Sequence, residues 1–550
     1  NLLINNGNEL SIGNGEYVSV ENNIIVDGEV YVETQGSLVQ VQDSGTFTLN
    51  NPSAKNTLSK STAPLQFWYD YTYWSSPLED AQIETALAFS RASRRYYFDA
   101  SLFNDTLVEI GNTGTFNPGQ DDIDDEGDDW VVQSTGKMDP GTGYAATHDN
   151  IGFVSGNQYQ YIFEGTQANG GAFNTGDIYT NIFIDPSVSY NNWNLIGNPY
   201  PCAINAIEFF NDNSTLLEGT LYLWSSDTNV DPNNSGNQGL NFSQNDYAQL
   251  NGGGGIASTN GSPIPNGYVA SGQGFFVIGK KSGASSGAAY YTSPVFNNSM
   301  RVTGNNNQFF RSSSANLNNR LWVNLISDNG VFNQILVGYF SGATDSYDGM
   351  FYDAPRNLST GQYALLYSII DGNDTKFSIQ GKSETSLNLD EVIPLGFSTT
   401  INVPTTYTLS IAQLEGDFLT TNTIYLKDNL LNLYHNLSAS DYSFTSEAGE
   451  FNARFEIVFQ DNSLSVDTPL LPSDGLTIVD MPDGSVKFKV GSAYTISRVE
   501  IIDLLGRSLY DLNGSHSEET YFLPQLSQSA YIAKVTLSNG QLVVKKAVKR

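Results

Sequence analysis

The chain has 550 residues, with 58 acidic against 25 basic side chains and a net charge of −33 at pH 7. A charge of this sign repels nucleic acid and anionic lipid, so we expect no nucleic-acid partner. The single cysteine, Cys202, excludes a disulfide within the chain, and we expect it to be buried and inert. No apolar run reaches the roughly 18 residues of a membrane-spanning helix, so we expect a chain that does not itself span a membrane.

Residues 1–55 are predicted to form a short β-solenoid. Brief apolar alternations, such as those at 17–20 and 30–32, recur along this segment and are separated by turns rich in Gly and Asn. A single rung of a solenoid cannot bury its own apolar face, so successive rungs are expected to stack on one another. Two β-hairpins are the alternative interpretation of the same pattern.

Two β-sandwich units of jelly-roll type are predicted next, over 60–300 and 301–460. Short runs of aromatic and β-branched residues between Gly, Pro and Asn turns are typical of sandwich strands. The first unit has two less β-like stretches. One of them, 78–95, is predicted to hold a short helix, and the other begins with Asn205 as a helix N-cap.

A polar linker is predicted over 461–468, followed by a compact last unit over 469–550. The last unit alternates apolar and polar residues in about seven short runs, which indicates an Ig-like β-sandwich. Residues 538–541 have the composition of a hairpin turn. The whole chain is therefore predicted to be all-β.

The last unit resembles the type A C-terminal sorting domain of cargo proteins of the Bacteroidota type IX secretion system. The matching runs are Asp503-Leu504-Leu505-Gly506-Arg507, Leu526 to Val535 around Tyr531 and Lys534, Asn539-Gly540, and Lys545-Lys546-Ala547-Val548-Lys549-Arg550. Ser529 stands where the family has Gly two residues before the Tyr. The usual opening is also replaced, by Pro472-Ser473-Asp474-Gly475.

The resemblance implies export across the outer membrane to the cell surface. It also implies two partners, the outer-membrane type IX translocon and its shuttle protein, and a sorting signal at Asp503, Gly506, Arg507, Tyr531, Lys534, Gly540, Lys545, Lys546, Lys549 and Arg550. The last 20 residues carry five bases and no acid, which gives the terminal strand a basic edge that a partner strand or an acidic receptor can bind. Protection of an edge strand from aggregation is the structural alternative for these lysines.

Residues 60–460 are similar to a region of large flavobacterial cell-surface proteins associated with adhesion and gliding. The resemblance is carried by runs such as 70–77, 194–201 and 270–277. It implies a structural or adhesive role at the cell surface, with other surface adhesins or glycans as partners.

Two acidic loops are the candidates for a Ca²⁺ site, which is the one cofactor that the sequence suggests. Clustered oxygen ligands on a Gly-containing loop suit Ca²⁺, although neither loop has the EF-hand spacing. A solvated acidic loop is the alternative for each. The candidate ligands are Asp121, Asp122, Asp124, Asp125, Glu126 and Asp128 in the first loop, and Asp345, Asp348 and Asp353 in the second.

The aromatic run 67–74 is a candidate glycan-binding surface, with Trp68, Tyr71, Tyr73 and Trp74 able to stack on sugars. Burial in a core is the alternative for these rings. A lectin-like module or a secreted glycoside hydrolase is the second function class considered. No pair of acids stands out for hydrolysis. The Gly283–Gly287 string has the GxSxG letters without a helix after it, and the three histidines have no zinc spacing. We therefore expect no enzyme.

Overall fold

A computed structural model describes most of the chain and is all-β, as predicted. The described residues are 1–105, 123–124, 126–232, 234, 236, 238–281, 287–306, 318–356, 364–461, 475–491, 494–504, 507–526 and 530–549. Two compact units are present, Asn1–Asp461 and Asn462–Arg550. None of the described helices is both long and apolar enough to cross a bilayer.

The first unit opens with a parallel β-solenoid, which confirms that interpretation over the two hairpins. Its strands are β1 (Leu2–Ile4), β2 (Glu9–Ile12), β3 (Tyr17–Val20), β4 (Ile24–Val26), β5 (Glu29–Val32), β6 (Ser37–Gln40), β7 (Phe47–Leu49) and β8 (Lys55–Ser61). They stack as β1–β4–β7, β2–β5–β8 and β3–β6, all with parallel pairing. Hairpins would have required antiparallel neighbours.

Asparagine side chains connect one rung of the solenoid to the next at its corners. The amide N–H of Asn23 donates to Asn1 Oδ1 at 3.0 Å, and the amide N–H of Thr46 donates to Asn23 Oδ1 at 3.1 Å. Each rung turns a row of Ile and Val side chains inward, among them Ile24 and Val26, which are completely buried. The Gly- and Asn-rich turns therefore set the rung length, and the apolar rows form the core.

The solenoid continues directly into the next region, because β8 also pairs antiparallel with β15. The strands of this region lie in several small sheets around the solenoid core. They are β9 (Tyr71–Trp74), β10 (Ala81–Gln82), β11 (Arg95–Phe98), β12 (Trp130–Val132), β13 (Lys137–Met138), β14 (Tyr144–Thr147), β15 (Gln160–Thr166), β16 (Ile178–Tyr179), β17 (Ile182–Ile184), β18 (Asn192–Gly197), β19 (Ala203–Asn205), β20 (Leu217–Trp224), β21 (Tyr247–Asn251), β22 (Gly254–Ile256), β23 (Tyr268–Val269), β24 (Gly274–Gly279), β25 (Tyr290–Thr292), β26 (Val295–Phe296) and β27 (Arg301–Val302).

Both helices expected in this region are present. α1 (Ile83–Ala86) lies within the predicted 78–95 stretch, and α2 (Ala206–Asp212) begins directly after Asn205. The Asn205 side chain accepts a hydrogen bond from the amide of Ile207 at 2.9 Å, as an N-cap does. Two of the larger sheets of this region are the four-stranded β12–β11–β14–β9 and the five-stranded β18–β24–β20–β21–β22.

The rest of the first unit contains one eleven-stranded sheet that bends back on itself. Its strands are β28 (Asn319–Ser327), β29 (Phe332–Phe340), β30 (Ala354–Pro355), β31 (Ala364–Ser368), β32 (Phe377–Ser383), β33 (Val392–Thr399), β34 (Thr406–Glu415), β35 (Tyr425–Asp428), β36 (Leu433–Asn436), β37 (Tyr442–Thr445) and β38 (Gly449–Val458), with α3 (Asp417–Thr421) between two of them. β36 and β37 lie at opposite ends of the strand order. A flat sheet of this width would separate them by roughly 40 Å, whereas the five residues that join them, 437–441, reach only about 20 Å. The sheet must therefore curve around its own apolar core.

Hydrogen bonds cross the boundaries predicted at 55 and 300 within this unit. The Arg301 guanidinium donates to the carbonyl of Leu38 at 2.7 Å, and the Thr220 hydroxyl donates to the carbonyl of Met350 at 2.6 Å. The division into 1–55, 60–300 and 301–460 stays a prediction about domains, and most of the predicted 461–468 linker lies outside the described residues.

The second unit is a seven-stranded sandwich of two sheets, as expected for an Ig-like domain. Its strands are β39 (Thr477–Asp480), β40 (Ser485–Lys489), β41 (Ile496–Asp503), β42 (Ser508–Asn513), β43 (Glu518–Phe522), β44 (Ala530–Leu537) and β45 (Leu542–Val548). The sheets are β39–β40–β43 and β42–β41–β44–β45. Phe488 from the first sheet and Val499 from the second are completely buried in the core between them.

Candidate functional site

The acidic and basic ends of the first motif of the predicted sorting signal, Asp503 and Arg507, bind each other. Asp503 ends β41, and its carboxylate accepts hydrogen bonds from the Arg507 backbone amide at 2.9 Å and from Arg507 Nε at 2.8 Å. Gly506 lies outside the described residues. Asp503 and Arg507 therefore connect the end of β41 to the start of β42, which is a structural role.

The second motif supplies core and turn residues. Tyr531 on β44 is 1 % exposed and pairs in register with Asp503, and its burial raises the pKa of the phenol to about 12. Gly540 has a φ of +86°, and its amide donates to the carbonyl of Leu537 at 3.0 Å. A left-handed residue is required in this turn, which explains the glycine. The predicted hairpin at 538–541 is confirmed by the antiparallel pairing of β44 with β45.

The terminal lysines do not form one basic edge. Lys545 Nζ donates to the carbonyl of Leu476 at 2.6 Å, and Lys549 Nζ donates to the carbonyl of Leu523 at 2.7 Å. Leu476 and Leu523 are both completely buried, so these two lysines turn toward the rim of the core. Arg550 lies outside the described residues.

The opposite side of β45 combines apolar side chains with one lysine. Leu542, Val544 and Val548 are each more than half exposed, and Lys546 is exposed between them. Lys534 on β44 pairs in register with Val544. Among the described strands β45 pairs only with β44, so its second edge has no strand against it in the described part of the chain. This outward row of β45 is the part of the predicted signal that a partner strand can reach.

The first acidic loop brings buried carboxyl groups together. Asp124 accepts backbone hydrogen bonds from Asn104 at 2.8 Å and from Gly127, while Asp129 is 3 % exposed and its Oδ1 has no hydrogen-bond partner among the described residues. Burial, and then the charge of Asp124, raise the pKa of Asp129 to about 8. Glu126 and Asp128 are exposed, and the candidate ligands Asp121, Asp122 and Asp125 lie outside the described residues.

The second acidic loop uses its carboxylates to bind the protein itself. Asp353 is completely buried and accepts from the amides of Asp348 at 2.7 Å and Gly381 at 3.0 Å, and its burial raises its pKa to about 7. Asp348 accepts from the Thr344 hydroxyl at 2.8 Å. Asp345 accepts from the Ser386 hydroxyl at 2.6 Å. Across the described ranges, no group of three His, Cys, Asp or Glu side chains is placed to hold a metal ion. We therefore carry the calcium prediction forward for the first loop alone.

The predicted aromatic surface is only partly a surface, which corrects the sequence interpretation. Tyr73 and Trp74 are 7 % and 1 % exposed, because successive residues of β9 point into two different apolar cores. The Tyr73 hydroxyl lies 2.8 Å from the Tyr247 hydroxyl inside one of them. Trp68 and Tyr71 remain partly exposed, so only these two of the four residues can contact a ligand.

Two arginines that the sequence interpretation missed lie against the exposed tryptophan. The guanidinium carbons of Arg91 and Arg94 are 5.7 Å and 5.5 Å from the centre of the Trp68 ring. Arg94 Nη1 also lies 3.5 Å from the Tyr71 hydroxyl. The available signal was the run Arg91-Ala92-Ser93-Arg94-Arg95, which places three of the 25 bases of the chain within five residues.

Cys202 is buried, as expected, but a cation distant in sequence contacts it. Arg301 Nε lies 3.3 Å from the Cys202 sulfur, and the guanidinium stacks over the Tyr200 ring at 4.7 Å. Burial nevertheless raises the pKa of the thiol, because desolvation outweighs the charge of Arg301. This geometry favours a structural thiol. Residues 283–286 of the GxSxG string lie outside the described residues.

Comparison with known proteins places the first unit in a family. A family model described as a domain of unknown function, DUF8693, matches residues 1–459. The chain belongs to the DUF8693 family. The match ends two residues before the first compact unit of the structure does, so the DUF8693 region and that unit nearly coincide.

The other comparisons add no functional information to the DUF8693 assignment. No curated protein matches the chain. One solved structure, titled "Biofilm associated protein - BSP domain", is 11 % identical, with 91 % of this chain and 93 % of that chain covered and a TM-score of 0.12. A TM-score this low carries no argument about the fold or the role of a DUF8693 chain.

Proposed function

We propose that this protein is exported to the cell surface, where it has a structural or adhesive role. In this proposal the C-terminal unit is the sorting signal, and the type IX translocon and its shuttle protein bind it. The observation that supports the proposal most is the sandwich of residues 475–549. Its described motif residues occupy the turns, the core and the free-edged strand β45. We propose no catalytic role.

The edge of β45 that pairs with no described strand supports recognition by strand addition. An exposed edge offers main-chain hydrogen bonds to a partner strand, and the side chains on its outward face give the choice of partner. Here that face combines Leu542, Val544 and Val548 with the charge of Lys546. Acidic side chains beside an apolar strand would complement it.

The export proposal is tested with a reporter fused to residues 462–550, the whole second unit. We expect the reporter at the surface of a host with a working type IX system and in the periplasm of the same host without its translocon. A matched fusion that ends at 541 lacks β45 and should stay in the periplasm. Resistance to protease shows whether the sandwich of the fusion is folded. If the complete fusion is folded and still remains in the periplasm of the competent host, the proposal is contradicted.

The adhesive part of the proposal needs a separate experiment. Cells that lack the protein should attach less to a surface than their parent, and the complete chain should restore attachment. Retained attachment in the deletion strain, with the protein detected on the surface of the parent, would leave the export role and remove the adhesive one.

A further inference from the structure

The surface around Trp68 combines an accessible aromatic ring with positive charge. We define the Trp68 surface as Trp68, Tyr71, Arg91 and Arg94, with Phe89 beside Arg91 in the chain. Phe89 is 55 % exposed, and the Arg91 side chain is 42 % exposed. The ring lies in the turn before β9. Arg91 and Arg94 belong to a 3-10 turn directly before β11, which is a strand of the sheet that also contains β9.

The three arginines of the 91–95 run have different roles. Arg95 is buried, and its guanidinium donates to the carbonyls of Ser134 at 2.9 Å and Ser90 at 2.6 Å, so it holds the local backbone. Arg91 pairs with Asp149 at 3.1 Å. The Arg94 guanidinium lies against Tyr71 and the Trp68 ring, and no carboxylate in the described parts of the chain lies within ion-pair distance of it.

Among the described arginines, Arg95 and Arg301 also lack a carboxylate partner, but both are buried and donate to backbone carbonyls. Arg94 differs from them because its side chain is partly exposed. A guanidinium presents planar N–H donors that match a carboxylate, and such charge-assisted pairs are among the strong hydrogen bonds. Arg94 therefore has unused capacity for a ligand carboxylate beside an aromatic ring.

The charge of the whole chain limits the anions that fit this surface. Double-stranded DNA carries one charge per about 1.7 Å, and the net charge of −33 on the chain would repel such a dense polyanion. A polysaccharide with one carboxylate per repeat presents isolated charges between neutral sugars. The apolar face of a sugar ring also packs on aromatic side chains, as apolar surfaces do when they are removed from water.

We propose that the Trp68 surface binds a carboxylated polysaccharide, with the ligand carboxylate at Arg94 and Arg91 and the sugar rings against the exposed aromatic side chains. This inference deepens the proposed adhesive role, because it names a ligand class for it. It differs from the sequence prediction, which placed glycan stacking on Trp68, Tyr71, Tyr73 and Trp74 without any charged group.

The test measures binding of hyaluronan fragments, which carry one glucuronate per disaccharide, to the purified full chain. Titration calorimetry measures the binding, and a change in the tryptophan emission of the chain accompanies it if the ligand contacts Trp68. We expect Arg94→Gln to weaken binding by about 10-fold or more, since a charge-assisted hydrogen bond is lost. Arg498→Gln is the matched control, because Arg498 is an exposed arginine of the other unit that pairs with Asp511.

Two comparison ligands make the result decisive. Hyaluronan whose carboxyl groups have been reduced to alcohols should bind the wild-type chain no more tightly than unmodified hyaluronan binds the Arg94→Gln variant. Double-stranded DNA of equal mass should not bind. Four results would each overturn the inference. They are equal binding of the reduced polymer, binding of DNA, an unaffected Arg94→Gln variant with an unchanged melting curve, and no binding of hyaluronan to the full chain. Export is measured with the reporter, so failure of this binding and failure of export are separate results.

Discussion

Lys60 is buried with no counter-charge among the residues that the structure describes, so removing its charge should stabilise the protein. Its side chain on β8 is 1 % exposed, and Nζ donates to the carbonyl of Thr34 at 2.7 Å. Burial lowers the pKa of Lys60 from 10.5 to about 7. At 1.36 kcal/mol per pH unit, this difference corresponds to about 5 kcal/mol of destabilisation below pH 7.

The Lys60→Met variant keeps the aliphatic stem and removes the ammonium group. It also leaves the Thr34 carbonyl without its donor, which costs about 1–3 kcal/mol. We therefore expect Lys60→Met to be more stable than the wild type by about 3 kcal/mol at pH 6. Lys55→Met is the matched control on the same strand. Its lysine is one-third exposed and pairs with Glu164, so we expect a change of about 0.5 kcal/mol or less.

The pH dependence gives this prediction its sign. Between pH 7 and 10.5 an unfolded lysine is still protonated while folded Lys60 is neutral. The folded state then binds fewer protons, so the stability of the wild type rises with pH over this window. The advantage of Lys60→Met should shrink over the same window and reverse by about 1–3 kcal/mol above its upper end, where only the lost hydrogen bond remains.

Urea unfolding followed by tryptophan emission measures this effect in the relevant unit. All six tryptophans lie before residue 323, so their emission reports the first compact unit and not the second. Wild type, Lys60→Met and Lys55→Met are compared at pH 6, 8 and 10. A stability difference between Lys60→Met and wild type that stays constant across these pH values would refute the reasoning.

Three further predictions concern the first unit and use the same unfolding assay or a melting curve. Arg454→Met should cost about 3–5 kcal/mol, because Asp428, 1 % exposed and 3.1 Å from the guanidinium, would lose its buried cation. Gly165→Ala should destabilise by about 2 kcal/mol or more, since its Cβ would lie 1.6 Å from a backbone oxygen, whereas Gly304→Ala meets no atom and should be neutral. If the loop 121–129 binds Ca²⁺, a chelator should lower the melting temperature by several degrees, and an unchanged temperature would contradict that prediction.

Local signals predicted local structure well. Asn205 was expected to cap a helix, and its side chain does so, because an N-cap depends on residues within one turn. The solenoid followed from Gly and Asn corners at a steady spacing, since each rung pairs with the next along the chain. The hairpin at Gly540 depended on a single left-handed residue.

Contacts between distant segments were beyond the same reasoning. The alternation in β9 assigns Tyr73 and Trp74 to opposite faces, but it cannot tell whether both faces are covered. Trp74 packs on Phe163 of β15, nearly ninety residues away, with ring centres 6.2 Å apart. The contact between Arg94 and the Trp68 ring likewise joins two separate segments of the chain. Burial of the predicted glycan surface thus depends on sheet pairing that no local pattern encodes.

The basic composition of the C-terminus suggests two roles, protection of the edge strand and recognition by a partner. Strand alternation assigns these roles to different lysines of β45. Lys545 and Lys549 lie on the side of β45 that carries Val543, and they bind backbone carbonyls at the rim of the core. Charges that point inward on an edge strand oppose uncontrolled pairing, so these two fit the protective role. Lys546 lies on the other side of β45 and is exposed. Replacing Lys545 should therefore lower the stability of the sandwich, whereas replacing Lys546 should weaken export of the reporter from an equally stable sandwich. Equal export losses with equal stability for both variants would show that the face of the strand does not matter.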